Sequence, residues 1–413
     1  MASPQAPPST FFYRDVNMKY KHSTASALSQ STESRRIELP TGVLTIEVED
    51  SDLNLDQLCD FAARRNPKRG FLFVSKVLGK HIPISPRVMR DCYQRLAQKI
   101  PRDLPGPVVF IGMAETATAL GHGVYEEYVK KTGRQDLVFI HTTRYELEQE
   151  KALNFAEEHS HATDHFLYLP EEAEARRLFQ NARSLVLLDD EASTGKTFIN
   201  LTKAFCAQVA NQLEQLVTVV ITDWRGQELV QERHDSLYAD EGITTSSVAL
   251  LTGRYSFDAD PELKNVVLPK ASGNGDLKDH LFQTNFGRLG LRDPGALHRI
   301  VQLCNIQLAV GERCLVLGVG EFSYLPFLLA ERIERYNPHA TVAVQSTTRS
   351  PIMLGGAISK SLSFLDHCEE EIDNFLHNGS KDDFDRVLIC TETPATSIDE
   401  ALVRALGARI MTF

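Results

Sequence analysis

Residues Ser184 to Thr197 read S-L-V-L-L-D-D-E-A-S-T-G-K-T. Four consecutive apolar residues, Leu185 to Leu188, run straight into two aspartates. The small residues Ala192, Ser193, Thr194 and Gly195 follow, and Lys196 and Thr197 open the helical pattern F-I-N-L-T-K-A-F. A buried strand that ends in a polar turn and feeds a helix is the βα unit of an open α/β sheet. The turn then lies at the carboxyl end of the strand, where such sheets bind ligands. Successive backbone N–H groups at the helix start make an anion cradle. Two carboxylates just ahead of it sit one sugar length from a bound phosphate, and a phosphate with two hydroxyl acceptors describes a ribose 5-phosphate. A P-loop is excluded, because the glycine that a Walker A motif needs five positions before Gly195 is Asp190 here. An acidic βα turn without a ligand stays open on this stretch alone.

The segment D-D-E-A-S-T-G-K-T resembles the phosphoribosyl diphosphate (PRPP) signature of type I phosphoribosyltransferases. The resemblance implies that Asp189 and Asp190 hold the ribose hydroxyls. It implies that Ala192, Ser193, Thr194, Gly195, Lys196 and Thr197 wrap the 5-phosphate. It also implies Mg²⁺ bound with PRPP, and it leaves Glu191 as a lesser candidate for an acid near the base.

The chain has 413 residues, enough for two or three domains with real cores. Its net charge of −11 argues against a sequence-independent nucleic-acid surface. Apolar runs fall short of the ~20 residues of a membrane span. Seven scattered cysteines without C-x-x-C favour reduced thiols over a disulfide framework or a zinc site. The expectation is a cytoplasmic protein without nucleic-acid or membrane partners, and a homodimer is left open.

Residues 1–35, rich in Ser, Pro, Thr and Gln, read as a loose arm. Gly42 to Val48 alternates like a strand, and Asp52 to Arg64 reads as an amphipathic helix capped near Ser51. F-L-F-V-S-K-V-L-G-K-H-I-P-I-S-P at 71–86 is β-rich and precedes a helix through Met89, Cys92, Leu96 and Ile100. It is similar to the hood of orotate phosphoribosyltransferases, which implies that Lys76 touches the base or the diphosphate. A solvated edge lysine is the competing reading.

Pro107 to Gly112 reads as a buried parallel strand. The small-residue turn after it lets a backbone approach a ligand closely. By resemblance this is the diphosphate loop, formed by Gly112, Met113, Ala114, Glu115 and Thr116. Asp136 to His141 is the next strand, and Arg144 occupies the place of the family's catalytic-loop cation. The long polar stretch from Tyr145 to His165 suits a mobile lid. Its His159, His161 and His165 have the spacing H-x-H-x-x-x-H, a weak zinc pattern. A short strand at 166–169 and a helix from Glu171 to Gln180 come next. The strand 216–226 ends at Asp223 and Trp224, which are base-pocket candidates unless the tryptophan simply packs at the strand end.

Residues 248–257 alternate like a strand, and Pro269 to Asp276 reads as a linker. Strands at Arg313 to Gly318, Ala340 to Gln345 and Phe384 to Cys390 follow, with a helix from Phe327 to Tyr336. Polar strand ends at Glu321, at Thr348, Arg349 and Ser350, and at Thr391 and Glu392 form a second candidate site. Arg349 there either binds an anion or ties loops through Glu321 or Glu392. With T-R-S-P at 348–351, the chain resembles phosphoribosyltransferase proteins associated with bacterial tellurium-resistance clusters, thought to serve a pathway to a nucleoside-like metabolite.

The expected fold is α/β: a type I phosphoribosyltransferase parallel sheet with hood and flexible loop over 36–268, then a smaller α/β domain over 277–413. The expected activity is a PRPP- and Mg²⁺-dependent glycosyltransferase that moves ribose 5-phosphate to a base-like acceptor and releases diphosphate. The alternatives are a PRPP-sensing regulator, or a nucleosidase or phosphorylase using the same site.

Overall fold

The computed structural model describes residues 33–64, 66, 69–156, 164–210, 212–226, 242–261 and 276–413. Most of the expected arm and most of the expected linker lie outside these. The arm's last residues already belong to β1 (Glu33–Leu39), the antiparallel partner of β2 (Gly42–Ser51).

The helix expected over 52–64 is one turn, α1 (Leu55–Leu58), started by Asn54 rather than Ser51. Cys59 onward goes extended as β3 (Cys59–Ala63), antiparallel to β4 (Phe71–Ser75). The leucine spacing suits a helix, but Phe61 meets Phe73 across the ladder at 6.0 Å. Cross-strand burial outweighs local propensity here.

Next come α2 (Pro86–Lys99), β5 (Val108–Gly112), α3 (Thr118–Thr132) and β6 (Leu137–His141). Ser85 caps α2, its hydroxyl accepting from the Arg87 N–H, with Pro86 at the first helical position. β7 (Lys151–Ala156) and β8 (Asp164–Tyr168) pair as an antiparallel hairpin, and α4 (Ala173–Gln180) follows. Then come β9 (Ser184–Ala192), α5 (Lys196–Gln208), β10 (Gln215–Asp223) and β11 (Thr244–Ala259).

Seven strands form one sheet in the order β1-β2-β11-β10-β9-β5-β6. From β11 to β6 every pairing is parallel. Strands β5 and β6 are buried at every residue, which is why they read as unbroken apolar runs. Gly123 lets α3 approach α2, since a Cβ there would lie 2.1 Å from the Tyr93 ring. β9 sits centrally, so its acidic end projects from the middle of the sheet.

The remainder builds α6 (Gly295–Gln302), β12 (Arg313–Gly318), α7 (Tyr324–Tyr336), β13 (Thr341–Ser346), β14 (Ser361–Leu365) and β15 (Asp373–His377). β16 (Arg386–Thr391), α8 (Glu400–Leu406) and β17 (Arg409–Thr412) complete it. A second, four-stranded sheet has the order β13-β12-β16-β17, all parallel.

The two sheets share one hydrophobic core. Tyr93 of α2 meets Phe327 of α7 edge to face at 5.2 Å. The segment from Gly79 to Ile84 runs along β13: Ile84 and Val344 exchange backbone hydrogen bonds of 3.1 and 2.8 Å, and Ser346 donates to the Gly79 carbonyl at 2.8 Å. The hood's continuation is therefore an edge of the second sheet.

Candidate active site

A cavity of about 180 Å³ opens at the carboxyl end of β9. Asp189 and Asp190 line it, both half-buried. The Asp190 N–H donates to Asp189 Oδ1 at 2.9 Å, which orients the first carboxylate. Burial, and then the neighbouring Glu191 charge, push the Asp190 carboxyl up to about 6. Glu191 itself accepts from Arg69 at 2.5 Å. The Arg69 guanidinium lies 4.9 Å from the centre of the Phe71 ring, so Glu191 ties the strand to the hood.

Ala192, Ser193, Thr194, Gly195 and Thr197 line the next wall of the cavity. Gly195 has φ +72°, the left-handed conformation that glycine tolerates, and it opens α5. A Cβ there would lie 3.1 Å from the Arg225 side chain. Lys196 is exposed and is not among the lining residues.

Met113, Ala114, Glu115 and Thr116 line the cavity after β5, whereas Gly112 stays within the strand. Thr142 Oγ1 accepts from the Ala114 N–H at 2.8 Å. Buried Lys80 donates to Glu115 at 2.5 Å and to the Gly320 carbonyl at 3.3 Å. Thr118 bonds the Glu321 carbonyl at 3.0 Å and pairs with the Ser323 hydroxyl at 2.7 Å. The small-residue loop is thus clamped from the second sheet.

Arg144 and His165 line the cavity on the side of the β7–β8 hairpin. His165 Nδ1 lies 3.2 Å from Thr142 Oγ1. His159 and His161 lie outside the described residues.

The second candidate site divides. Thr348, Arg349 and Ser350 follow β13 and line this same cavity. Arg349 donates to Glu370 at 2.8 Å and lies 5.2 Å from the Tyr145 ring centre, so it ties to neither Glu321 nor Glu392. Glu321 is buried away from the cavity, accepting from Thr143 Oγ1 at 2.7 Å and the Arg144 N–H at 2.8 Å. Despite burial, Arg288 beside it holds the Glu321 carboxyl below the ordinary range. Arg288 also grips Glu392 with two bonds of 2.7 and 2.6 Å.

Three expected positions fall elsewhere. Trp224 is buried in the core, stacked on Phe73 at 4.6 Å with its Nε1–H donating to Thr222 Oγ1. The hood supplied an aromatic partner, so the tryptophan packs rather than facing the cavity. Asp223 clamps Arg225, with Oδ1 accepting from Nε at 2.8 Å, behind the Gly195 loop. Lys76 is not brought to the cavity; four residues on, Lys80 makes the pair with the loop. Arg64, Arg69, Leu72, His81 and Phe198 complete the lining and were not picked out from sequence. The basic run R-R-N-P-K-R before the hood strand was the available signal for the two arginines.

A phosphoribosyl transferase family model matches residues 58–254, and a TRSP domain, described as C-terminal to that transferase domain, matches residues 286–406. The chain carries a phosphoribosyl transferase domain followed by a TRSP domain. The transferase match ends within β11 and the TRSP match ends at α8, so the acidic pair falls in one and T-R-S in the other. No curated protein matches the chain. Among solved structures it is similar to adenine phosphoribosyl transferase from Trypanosoma brucei, at 14% identity over 49% of this chain and 82% of that one, TM-score 0.33. Adenine phosphoribosyltransferase from Leishmania tarentolae is 13% identical over 47% and 84%, TM-score 0.31. Orotate phosphoribosyltransferase from Aeropyrum pernix is 15% identical over 47% and 85%, TM-score 0.26.

Proposed function

We propose that this phosphoribosyltransferase moves ribose 5-phosphate from PRPP to a base-like acceptor and releases diphosphate. One observation carries the reading: a single cavity is lined by the acidic pair, the Gly195 loop, the loop after β5 and the T-R-S turn. Asp189 and Asp190 accept from the ribose hydroxyls. The Ala192–Thr197 backbone donates to the 5-phosphate at the start of α5. Met113 to Thr116, with Arg144, receive the diphosphate. The T-R-S turn forms the acceptor-side wall.

The bond from the anomeric carbon to the diphosphate oxygen breaks as the acceptor's bond forms, through a state resembling an oxocarbenium ion. The protein's work is then positioning and charge neutralisation, and no side chain need become a nucleophile. Mg²⁺ takes one or two carboxylates with substrate phosphates, and Asp189, Asp190 and Glu115 offer oxygens of that type. When bound it neutralises diphosphate charge. The product is a nucleoside-monophosphate-like metabolite, in keeping with the resemblance to tellurium-resistance-associated proteins.

Phosphorus NMR of PRPP with Mg²⁺, the protein and an acceptor panel tests the reading. Free diphosphate together with a new ribosyl phosphate signal supports transfer. Binding without turnover supports a sensor instead, and turnover only with added phosphate or diphosphate and a nucleotide supports a phosphorylase.

A further inference from the structure

His81 follows Lys80 on the segment that edges the second sheet, and it lines the cavity. Its Nδ1 lies 3.3 Å from Nδ1 of His377, the last residue of β15, and both rings are buried. Two ring nitrogens at that distance share a single hydrogen. His377 Nε2 is buried without a hydrogen-bond partner among the described residues. A buried N–H left unpaired is rarer than an under-satisfied acceptor, so the bare nitrogen of His377 is Nε2 and its hydrogen sits on Nδ1. His377 then donates to His81, and His81 carries its own hydrogen on Nε2, the nitrogen left for the cavity. Burial first, then His377, Lys80 and Arg64, hold His81 below its ordinary range, so the ring stays neutral near pH 7.

Arg349 adds to this wall. One of its five N–H donors goes to Glu370, which pins the guanidinium where it lines the cavity. Thr348 and Ser350 flank it, and Arg64, whose charge acts on His81, lines the same cavity. Beside the acidic acceptors suited to sugar hydroxyls, the cavity therefore carries side-chain donors, Arg349 and His81, that those hydroxyls do not need.

Resting on the proposed PRPP reading, we infer that the acceptor substrate is a small molecule bearing a carboxylate or carbonyl oxygens, held by Arg349 and the His81 Nε2–H, and not an amino-substituted purine. His377 is a positioning residue that selects the His81 tautomer.

The experiment has three arms. PRPP with Mg²⁺ is first titrated calorimetrically into the unaltered protein; absence of binding overturns the PRPP reading and this inference with it. The PRPP-saturated protein is then titrated with orotate, nicotinate and adenine. At least one acid should bind tenfold or more tighter than adenine. Arg349→Gln should weaken that acid at least tenfold and His81→Gln several-fold, with PRPP affinity within threefold of the parent. With PRPP bound, adenine binding as tightly as both acids, no binding by either acid, or no effect of the substitutions overturns the inference alone. Nitrogen-15 histidine NMR of the unaltered protein is the third arm and needs no variant to fold. It should show the His81 hydrogen on Nε2, moving on His377→Asn. A bare His81 Nε2 refutes the assignment.

Discussion

Replacing Asp190 by Asn should make the free protein more stable while weakening its ligand. The carboxyl is pushed from 3.8 to about 6. That displacement corresponds to ~3 kcal/mol of strain in the ionised form. Partial exposure of the side chain and relaxation of Glu191 reduce this to ~1–2 kcal/mol. A group whose folded pKa is raised favours the fold below its unfolded pKa, and that stability is lost as pH rises through the folded value. The strain is therefore complete above about pH 6 and gone near pH 4. In a chain this long, a kcal/mol moves the melting temperature by ~1–2 °C. Scanning calorimetry at pH 7.5 should find Asp190→Asn melting ~2–3 °C higher than the parent, with the gain vanishing near pH 4. PRPP affinity should fall, since a charge-assisted hydrogen bond is worth ~1.5–3 kcal/mol. An unchanged or lower melting temperature at pH 7.5, or a gain that persists at pH 4, would show that the ionised Asp190 carboxylate carries no such strain.

Arg288→Met should cost ~3–5 kcal/mol, because Glu321 and Glu392 would be left buried without their shared cation; denaturant unfolding checks it, and a loss under 1 kcal/mol contradicts it. The loop from Tyr145 to His165 should be cut by protease more slowly with saturating PRPP and Mg²⁺, and equal rates would end the lid idea. Cleavage should fall between Lys151 and His165, because Tyr145 is buried and stacked on Phe282 at 4.7 Å. Gly195→Val should lower both stability and PRPP affinity, since φ +72° suits no β-branched residue and its Cβ would crowd Arg225; parent-like values in melting and titration would count against the loop.

Much of the first sheet was legible because parallel strands buried on both faces must be apolar throughout, as Leu185 to Leu188 and Val108 to Gly112 are. The acidic pair and the Gly195 turn were legible for a related reason, since polar groups directly after such a strand have few structural uses. What escaped was decided by partners far away in the chain. Asp52 to Arg64 has helical spacing, and only the pairing with Phe71 to Ser75 turns its second half, Cys59 to Ala63, into strand. Trp224 reads as core slightly better than as a pocket wall, and Phe73 stacked on it decides for core. The T-R-S turn was picked out as a site, but not as part of the same cavity as Asp189. That depends on Gly79 to Ile84 annexing to β13, a register that no local pattern records. The short strands β14, β15 and β17 were missed because little in five or fewer residues separates an edge strand from a loop.

In the proposed reaction the end of β9 holds the ribose of PRPP. Calorimetric titration of PRPP with Mg²⁺ into the parent protein and into Asp189→Asn, Asp190→Asn tests it most directly. The parent should bind saturably and the double variant not measurably, while its melting remains cooperative. Equal affinity in the two proteins, or no binding by the parent, would contradict it.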